Sequence, residues 1–289
     1  MQISSDNQFV YVTDFGDLSL KHTFECGQCF RWVQQKDGSY SGIVQEMDVN
    51  LAIIDSPEGA QTLRISGVDE AAVRDFWINY LDLNTDYNHL CGELCLIDKH
   101  IKNAIDFSRG LRLLRQPFFE TLISFIVSQN NNVPRITGII DKLCTAFGDE
   151  LTDGRFAFPT PEGLSRLTVD DFTKLGAGYR SAYLYAIAQK YVAGEINPKD
   201  ISSMNYLDAR NFLISLPGVG PKVADCVLLF SGVHSEAFPT DVWVKRTMLN
   251  LYGLKTAEEI TAFAATYFGE KAGIAQQYLF HYARKGSGD

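Results

Sequence analysis

No apolar run in the 289-residue chain reaches the roughly 18 to 20 residues of a membrane helix, which excludes a helical membrane protein. The first residues, MQISSDNQFVYV, carry neither the basic start nor the apolar segment of a secretion signal, so an intracellular protein is the expectation. Positive charge is scarce: 26 Lys and Arg stand against 35 Asp and Glu, for a net charge of −9. That weighs against binding to nucleic acid by bulk electrostatics. A local basic patch remains open, because screening limits each charge to about 10 Å at 0.1 M salt. There are six cysteines and none beyond Cys226. Cys26 and Cys29, with Cys91 and Cys95, have spacings that zinc sites use. Flanked by Phe24, Phe30 and Trp32, however, the first pair reads better as strand and turn with half-buried thiols, and zinc is not expected. No solenoid repeat and no low-complexity stretch is present.

What the chain has is an ordinary soluble composition, 46% hydrophobic and 21% charged, and enough length for a sizeable core. Residues 1 to about 67 read as β. Phe9 to Val12, Phe24 to Val33, Tyr40 to Val44, Val49 to Ile54 and Thr62 to Ile65 are short β-prone runs. Turn signals at Lys36 to Ser39 and Asp55 to Gly59 separate them, which predicts an antiparallel meander. Asp69 to Tyr80 is a helix with an acidic first turn. From about residue 98 the pattern is helical to the end, about eight helices. Among them Pro117 to Ser128 is apolar nearly all round and therefore central. The expected fold class is α+β. A small N-terminal antiparallel β-sheet lobe, residues 1–97, precedes a large all-α region, residues 98–289.

The most informative stretch is Leu216 to Asp241, LPGVGPKVADCVLLFSGVHSEAFPTD. Gly218 and Gly220 flank one apolar residue in a tight turn, because glycine reaches positive φ without a Cβ clash. Pro221 suits the first turn of a helix, where its missing N–H is not needed. Helix, compact hairpin and second helix follow. The second helix opens with free amides at the positive end of its dipole, a seat for a phosphate. Lys222 stands in that first turn, where the dipole and partial burial favour the neutral, nucleophilic amine. Cys226 lies one turn on, on the same face, placed to share a proton with the lysine. Asp241 begins the next helix after Pro239-Thr240, as an N-cap and as a carboxylate facing the lysine.

Four separated stretches, in order, carry a family likeness. They are Gly27-Gln28-Cys29-Phe30-Arg31-Trp32; Leu113 to Gln116 with Ser128 to Gly138 (SQNNNVPRITG); Leu175 to Arg180 (LGAGYR); and Leu216 to Asp241 together with Ala275 to Phe280 (AQQYLF). Over nearly its whole length the chain resembles the 8-oxoguanine DNA glycosylases of the helix-hairpin-helix Gly/Pro-Asp superfamily.

The resemblance implies a helix-hairpin-helix glycosylase region of two helical lobes with the active-site cleft between them. It implies a bifunctional enzyme that flips the damaged nucleotide out of duplex DNA, removes 8-oxoguanine through a Lys222 Schiff base and nicks the strand. Asp241 would stabilise the cationic sugar. The Gly27 carbonyl, Cys226, Gln276 and Phe280 would form the base pocket. Asn130 and Tyr179 would fill and wedge the gap in the stack, and Arg135 and Arg180 would read the cytosine opposite. The amides of Gly218, Gly220 and Val223 would hold a phosphate. The carbonyls of Ile214, Leu216 and Val219 would hold a structural cation, monovalent or calcium. No cofactor is implied for catalysis. With no cysteine after Cys226, no iron–sulfur cluster is expected. The partner would be double-stranded DNA with 8-oxoguanine opposite cytosine, the enzyme a monomer. The compartment would be the cytoplasm with the nucleoid in a bacterium and the nucleus in a eukaryote. One departure stands out: Trp243 occupies the place where some members have histidine, and a tryptophan cannot ion-pair with a phosphate. Two rival readings remain: a glycosylase for another damaged purine on the same fold, or a non-catalytic DNA-binding module.

Overall fold

The computed structural model describes residues 1–55, 60–151 and 154–285. Six strands, β1 (Gln2–Ser5), β2 (Val10–Thr13), β3 (Trp32–Gln34), β4 (Tyr40–Val44), β5 (Met47–Asp55) and β6 (Gln61–Ser66), form one antiparallel sheet. The strand order is β1-β2-β6-β5-β4-β3. The expected meander holds from β3 to β6, after which β6 pairs back onto β2. The register explains why. Val10 lies opposite Ile65, Val12 opposite Leu63, and Leu51 opposite Ile65, so one face of three strands is continuously apolar. All five side chains are buried, and alternation on a strand puts them on one face. Part of the predicted turn before β6, Ser56 to Gly59, lies outside the described residues.

One β-prone run is corrected. Within Phe24 to Val33 only Trp32 and Val33 enter a strand; Leu20–Glu25 is a helix. Ser19 caps it, its side chain accepting from the His22 amide, and the helix turns Leu20, Thr23 and Phe24 inward. Gly27 follows at φ +87°, a left-handed conformation that no strand continues through. Residues 70–80 are helical as expected. A π-helical turn over Val73–Trp77 brings Val73, Trp77 and Tyr80 onto the sheet core.

From Lys99 onward the described residues hold twelve α-helices, against about eight expected. The difference includes short helices in stretches without a long apolar period. Pro161–Ser165 and Pro198–Ser203 each combine a capping Thr160 or Asn197 with proline in the first turn. The central helix is Phe118–Val127, in which every residue but Glu120 is buried. The sheet core takes in Leu114, and the helical core takes in Cys26, Tyr87 and Leu94, so the two cores interlock across the middle of the chain.

Candidate active site

The hairpin joins the helices Tyr206–Ile214 and Pro221–Phe230. The Val219 amide donates to the Leu216 carbonyl, closing the turn. Gly218 has φ +75°, and a Cβ there would stand 2.4 Å from the Tyr183 ring, so both conformation and space demand glycine. Arg210 Nε donates to Asp225 Oδ1 at 2.7 Å and ties the two helices together. Gly220 is the N-cap of the second helix and offers no side-chain acceptor. The amides of Gly218, Gly220 and Val223 find no acceptor among the described residues, which leaves them available to an anion.

Lys222 and Asp241 line one open cleft of about 490 Å³, together with residues of the Ser128–Asn131 turn and Trp243. Lys222 Nζ lies 3.4 Å from Ser128 Oγ and 5.0 Å from the Phe125 ring centroid. Gln129 Nε2 donates to the Gly218 carbonyl at 2.8 Å, docking the same turn onto the hairpin. Asp241 caps Val242–Tyr252, accepting from the Val244 amide at 2.8 Å. Cys226 is buried, and burial pushes its thiol up to about 11 against the smaller opposing pull of Lys222. It therefore stays protonated at neutral pH, and the lysine has no thiolate partner.

A second group comes from the two ends of the chain. A Cβ on Gly27 would stand 3.6 Å from Phe280 Cε1 and 3.3 Å from Arg284 Nη1. Arg284 lies 5.3 Å over the Phe280 ring. Gln276, on the helix Ala272–Lys285, is 3% exposed. Its Nε2 donates to the Pro239 carbonyl at 2.9 Å, linking it to the loop that carries Asp241. Its Oε1 is buried with no partner. A buried amide oxygen left without a donor costs about 1–3 kcal/mol, so this acceptor is open to a donor from a bound molecule.

Of the remaining predicted residues Asn130 lines the cleft, whereas Arg135, Tyr179 and Arg180 are not among its lining. Asn130 is exposed and has φ +44°, a left-handed conformation that Asn tolerates better than most residues. Tyr179 is 54% exposed. Arg135 is exposed in the first turn of Val133–Phe147. Arg180, by contrast, is buried. Its guanidinium donates to the carbonyls of Ala177, Gln129 and Asn130 and packs 4.4 Å from the Tyr179 ring centroid. The fork thus braces the Asn130 turn rather than standing free. Trp243 is 49% exposed, with Arg246 5.3 Å from its ring centroid.

Of the carbonyls named for a cation, that of Leu216 is engaged by the Val219 amide. No group of three or more His, Cys, Asp or Glu side chains gathers among the described residues, so the four N-terminal-half cysteines make no zinc site there. Cys26 Sγ instead donates to the Thr23 carbonyl and Cys91 Sγ to Tyr278 Oη. Sequence reasoning missed Ser128, Gln129, Gln277 and Arg284. Two of them lie in the SQNNN segment and one in AQQYLF, but contacts across 94 or 251 residues have no local signal.

Two family models match the chain. Residues 10–122 match the sequence model described as 8-oxoguanine DNA glycosylase, N-terminal domain, and residues 123–268 match that of the HhH-GPD superfamily base excision DNA repair proteins. The N-glycosylase/DNA lyase of Saccharomyces cerevisiae is 35% identical over 80% of this chain and 67% of its own. Among solved structures, MBOgg1 in complex with a low-affinity DNA ligand aligns with TM-score 0.94 at 40% identity, covering 99% of both chains. The Clostridium acetobutylicum 8-oxoguanine glycosylase/lyase, bound to double-stranded DNA with cytosine opposite 8-oxoguanine, aligns with TM-score 0.92 at 37% identity, covering 99% of this chain and 98% of its own. The chain belongs to the 8-oxoguanine DNA glycosylase family, within the helix-hairpin-helix superfamily of base excision repair proteins.

Proposed function

We propose that Lys222 is the nucleophile, and Asp241 the electrostatic partner, of a DNA glycosylase and lyase. The enzyme excises 8-oxoguanine from duplex DNA and then cuts the strand, and its catalysis needs no cofactor. The observation that carries the assignment of residues is the single cleft in which Lys222 and Asp241 meet beside the free hairpin amides.

In this reading the Lys222 amine attacks C1′ of the flipped nucleotide and the C1′–N9 bond breaks, the base leaving with a proton. The Asp241 carboxylate stabilises positive charge as it grows on the sugar. Ring opening gives the imine between Nζ and C1′. Loss of a C2′ proton expels the 3′ phosphate, and water then releases the lysine. The β lobe, residues 1–97, supplies the Gly27 carbonyl, which accepts from N7–H of 8-oxoguanine and repels the N7 lone pair of guanine. Residues 98–289, as two helical lobes around the cleft, supply the rest. The free Gln276 Oε1 accepts from the Watson–Crick edge. Phe280 stacks on one face of the base, with the neutral Cys226 thiol on the other. Asn130 fills the vacated space, Tyr179 wedges the stack, and Arg135 and Arg180 read the cytosine opposite. For Arg180 this requires exchanging its present carbonyl acceptors for base acceptors.

The amides of Gly218, Gly220 and Val223 take a backbone phosphate without sequence readout. A cation on the carbonyls of Ile214, Leu216 and Val219 offsets that phosphate. The enzyme acts as a monomer where chromosomal DNA is, in bacterial cytoplasm or a eukaryotic nucleus. The described residues hold no helix long and apolar enough to cross a membrane. A panel of duplexes carrying 8-oxoguanine, an alkylated purine or undamaged guanine tests the reading. Excision and nicking confined to 8-oxoguanine, and lost in Lys222→Gln, support it. Excision of the alkylated purine in preference, or nicking that survives Lys222→Gln, contradicts it.

A further inference from the structure

Residues Cys26 to Gln28 are held by an unusual set of amide side chains. Gln277 Nε2, 1% exposed, donates to the Cys26 carbonyl at 3.0 Å. Gln116 Nε2 donates to the Gln28 carbonyl at 2.7 Å, while the Gln116 backbone amide is anchored on the Phe230 carbonyl at 2.8 Å. The Gln28 side chain is fully buried and fully satisfied: its Nε2 donates to the carbonyls of Thr23 and Arg112, both at 2.8 Å, and its Oε1 accepts from the Leu114 amide at 2.9 Å. The carbonyls before and after that of Gly27 are thus fixed from two separate elements, one by the helix that carries Gln276 and Phe280, the other by the segment ending at Gln116. The Gly27 carbonyl between them receives no donor among the described residues.

We infer that Gln277 and Gln116 are positioning residues that clamp the peptides on either side of the Gly27–Gln28 peptide, aiming the free Gly27 carbonyl at the extruded base and so setting how strongly the enzyme prefers 8-oxoguanine to guanine. The inference rests on the reading above in which the Gly27 carbonyl recognises the lesion. A glycine at φ +87° has no side chain to hold its own peptide planes, and rotation about its φ and ψ swings the carbonyl. Fixing the two neighbouring carbonyls, with the Gln28 side chain also pinned, restricts that freedom to a concerted turn of the one peptide between them. The difference between accepting an N–H and repelling a lone pair falls off with misalignment, since a hydrogen bond weakens steeply once its angle opens. The clamp also ties the two halves of the base pocket into one unit. Gln277 follows Gln276 directly, so the helix that reads one edge of the base also sets the carbonyl that reads the other.

The test separates recognition from chemistry. Gln277→Met and Gln116→Met remove the donors while keeping side-chain length. Each is assayed on a duplex with 8-oxoguanine opposite cytosine and on the same duplex with an abasic site, which uses Lys222 but presents no base. In a Lys222→Gln background, binding to 8-oxoguanine and guanine duplexes gives the discrimination ratio directly. The inference expects 8-oxoguanine excision to fall about tenfold with abasic-site cleavage within twofold of wild type, and the binding ratio to shrink about threefold or more. It is overturned if both variants keep excision and the ratio within twofold, or if abasic cleavage falls in step with excision, which would mean general damage to the fold. Should one variant not fold, the other decides by the same criteria. Failure of the underlying reading looks different: wild type would then show no preference for 8-oxoguanine over guanine.

Discussion

Ser128 Oγ donates its hydrogen to the Phe125 carbonyl at 2.7 Å and presents its lone pairs to Lys222 Nζ, 3.4 Å away. The hydroxyl is therefore oriented before any substrate arrives, and it holds the amine above the Phe125 ring at the wall of the cleft. Truncation to alanine removes this hold and leaves the rest of the cleft intact. Ser128→Ala should lower the single-turnover rate of imine formation about three- to tenfold, the worth of one modest hydrogen bond, with DNA affinity unchanged. Quench-flow kinetics beside a binding titration checks both.

Cys226 should behave as a buried neutral thiol. Its folded value, about 11, lies above the ordinary 9, so the folded state holds its proton more tightly than the unfolded chain. Its contribution to stability is present below pH 9 and is lost as pH rises from 9 to 11. At pH 8 a thiol reagent should modify Cys226 in the native enzyme only slowly and should modify it fast in denaturant. Mass mapping of the labelled peptide reads the difference. Rapid native labelling would mean a thiolate faces the lysine.

A histidine pair pins the helix before Gly27 to the helix that carries Gln276. His22 Nδ1 and His281 Nε2 are 2.9 Å apart, and Phe107 packs on both rings. Burial, then the neighbouring charges of His22, Lys285 and Arg284, pushes His281 down to about 4, opposed weakly by Glu25. His22 is lowered as well, by burial and then by Lys21 and Lys285. The folded state thus keeps His281 neutral where the unfolded chain takes up a proton. Stability should be full above pH 6.5 and fall as pH drops from 6.5 toward 4, by up to roughly 1.4 kcal/mol per pH unit. Denaturant melts across that range should show the slope, and His281→Phe should flatten it.

Trp243 offers a half-exposed aromatic face at the cleft, and Arg246 lies against it. Stacking on a base or sugar is worth roughly 1–3 kcal/mol. In a Lys222→Gln background, Trp243→Ala should weaken binding to the lesion duplex about fivefold or more. Trp243→His should restore part of that affinity with a steeper dependence on salt, since a protonated histidine adds a phosphate contact.

The chain discloses its parts unevenly. The glycine, proline and lysine of the hairpin are legible because each answers a local demand of backbone or helix end. Asp241 is legible as a cap for the same reason, and the cap is there. The sheet was legible from β3 to β6, where pairing is sequential, but not in its closure by β2, which depends on register with a strand fifty residues away. The helix Leu20–Glu25 is hidden because Thr, Phe and Trp nearby favour strands, and a lone capping serine such as Ser19 is a weaker signal than they are. Arg180 could not be placed as buried from a pattern that reads as a polar helix face. The clamp of Gln277 on Cys26 joins the far ends of the chain, and no spacing rule connects them.

The account depends most on Lys222 forming a covalent imine with the sugar. Borohydride added during turnover on an 8-oxoguanine duplex measures that directly, by reducing the imine to a stable protein–DNA cross-link. Wild type should cross-link, the modified peptide should contain Lys222, and Lys222→Gln should give no product. A wild-type enzyme that excises the base without trapping, or a Lys222→Gln enzyme that still traps, would contradict the central claim.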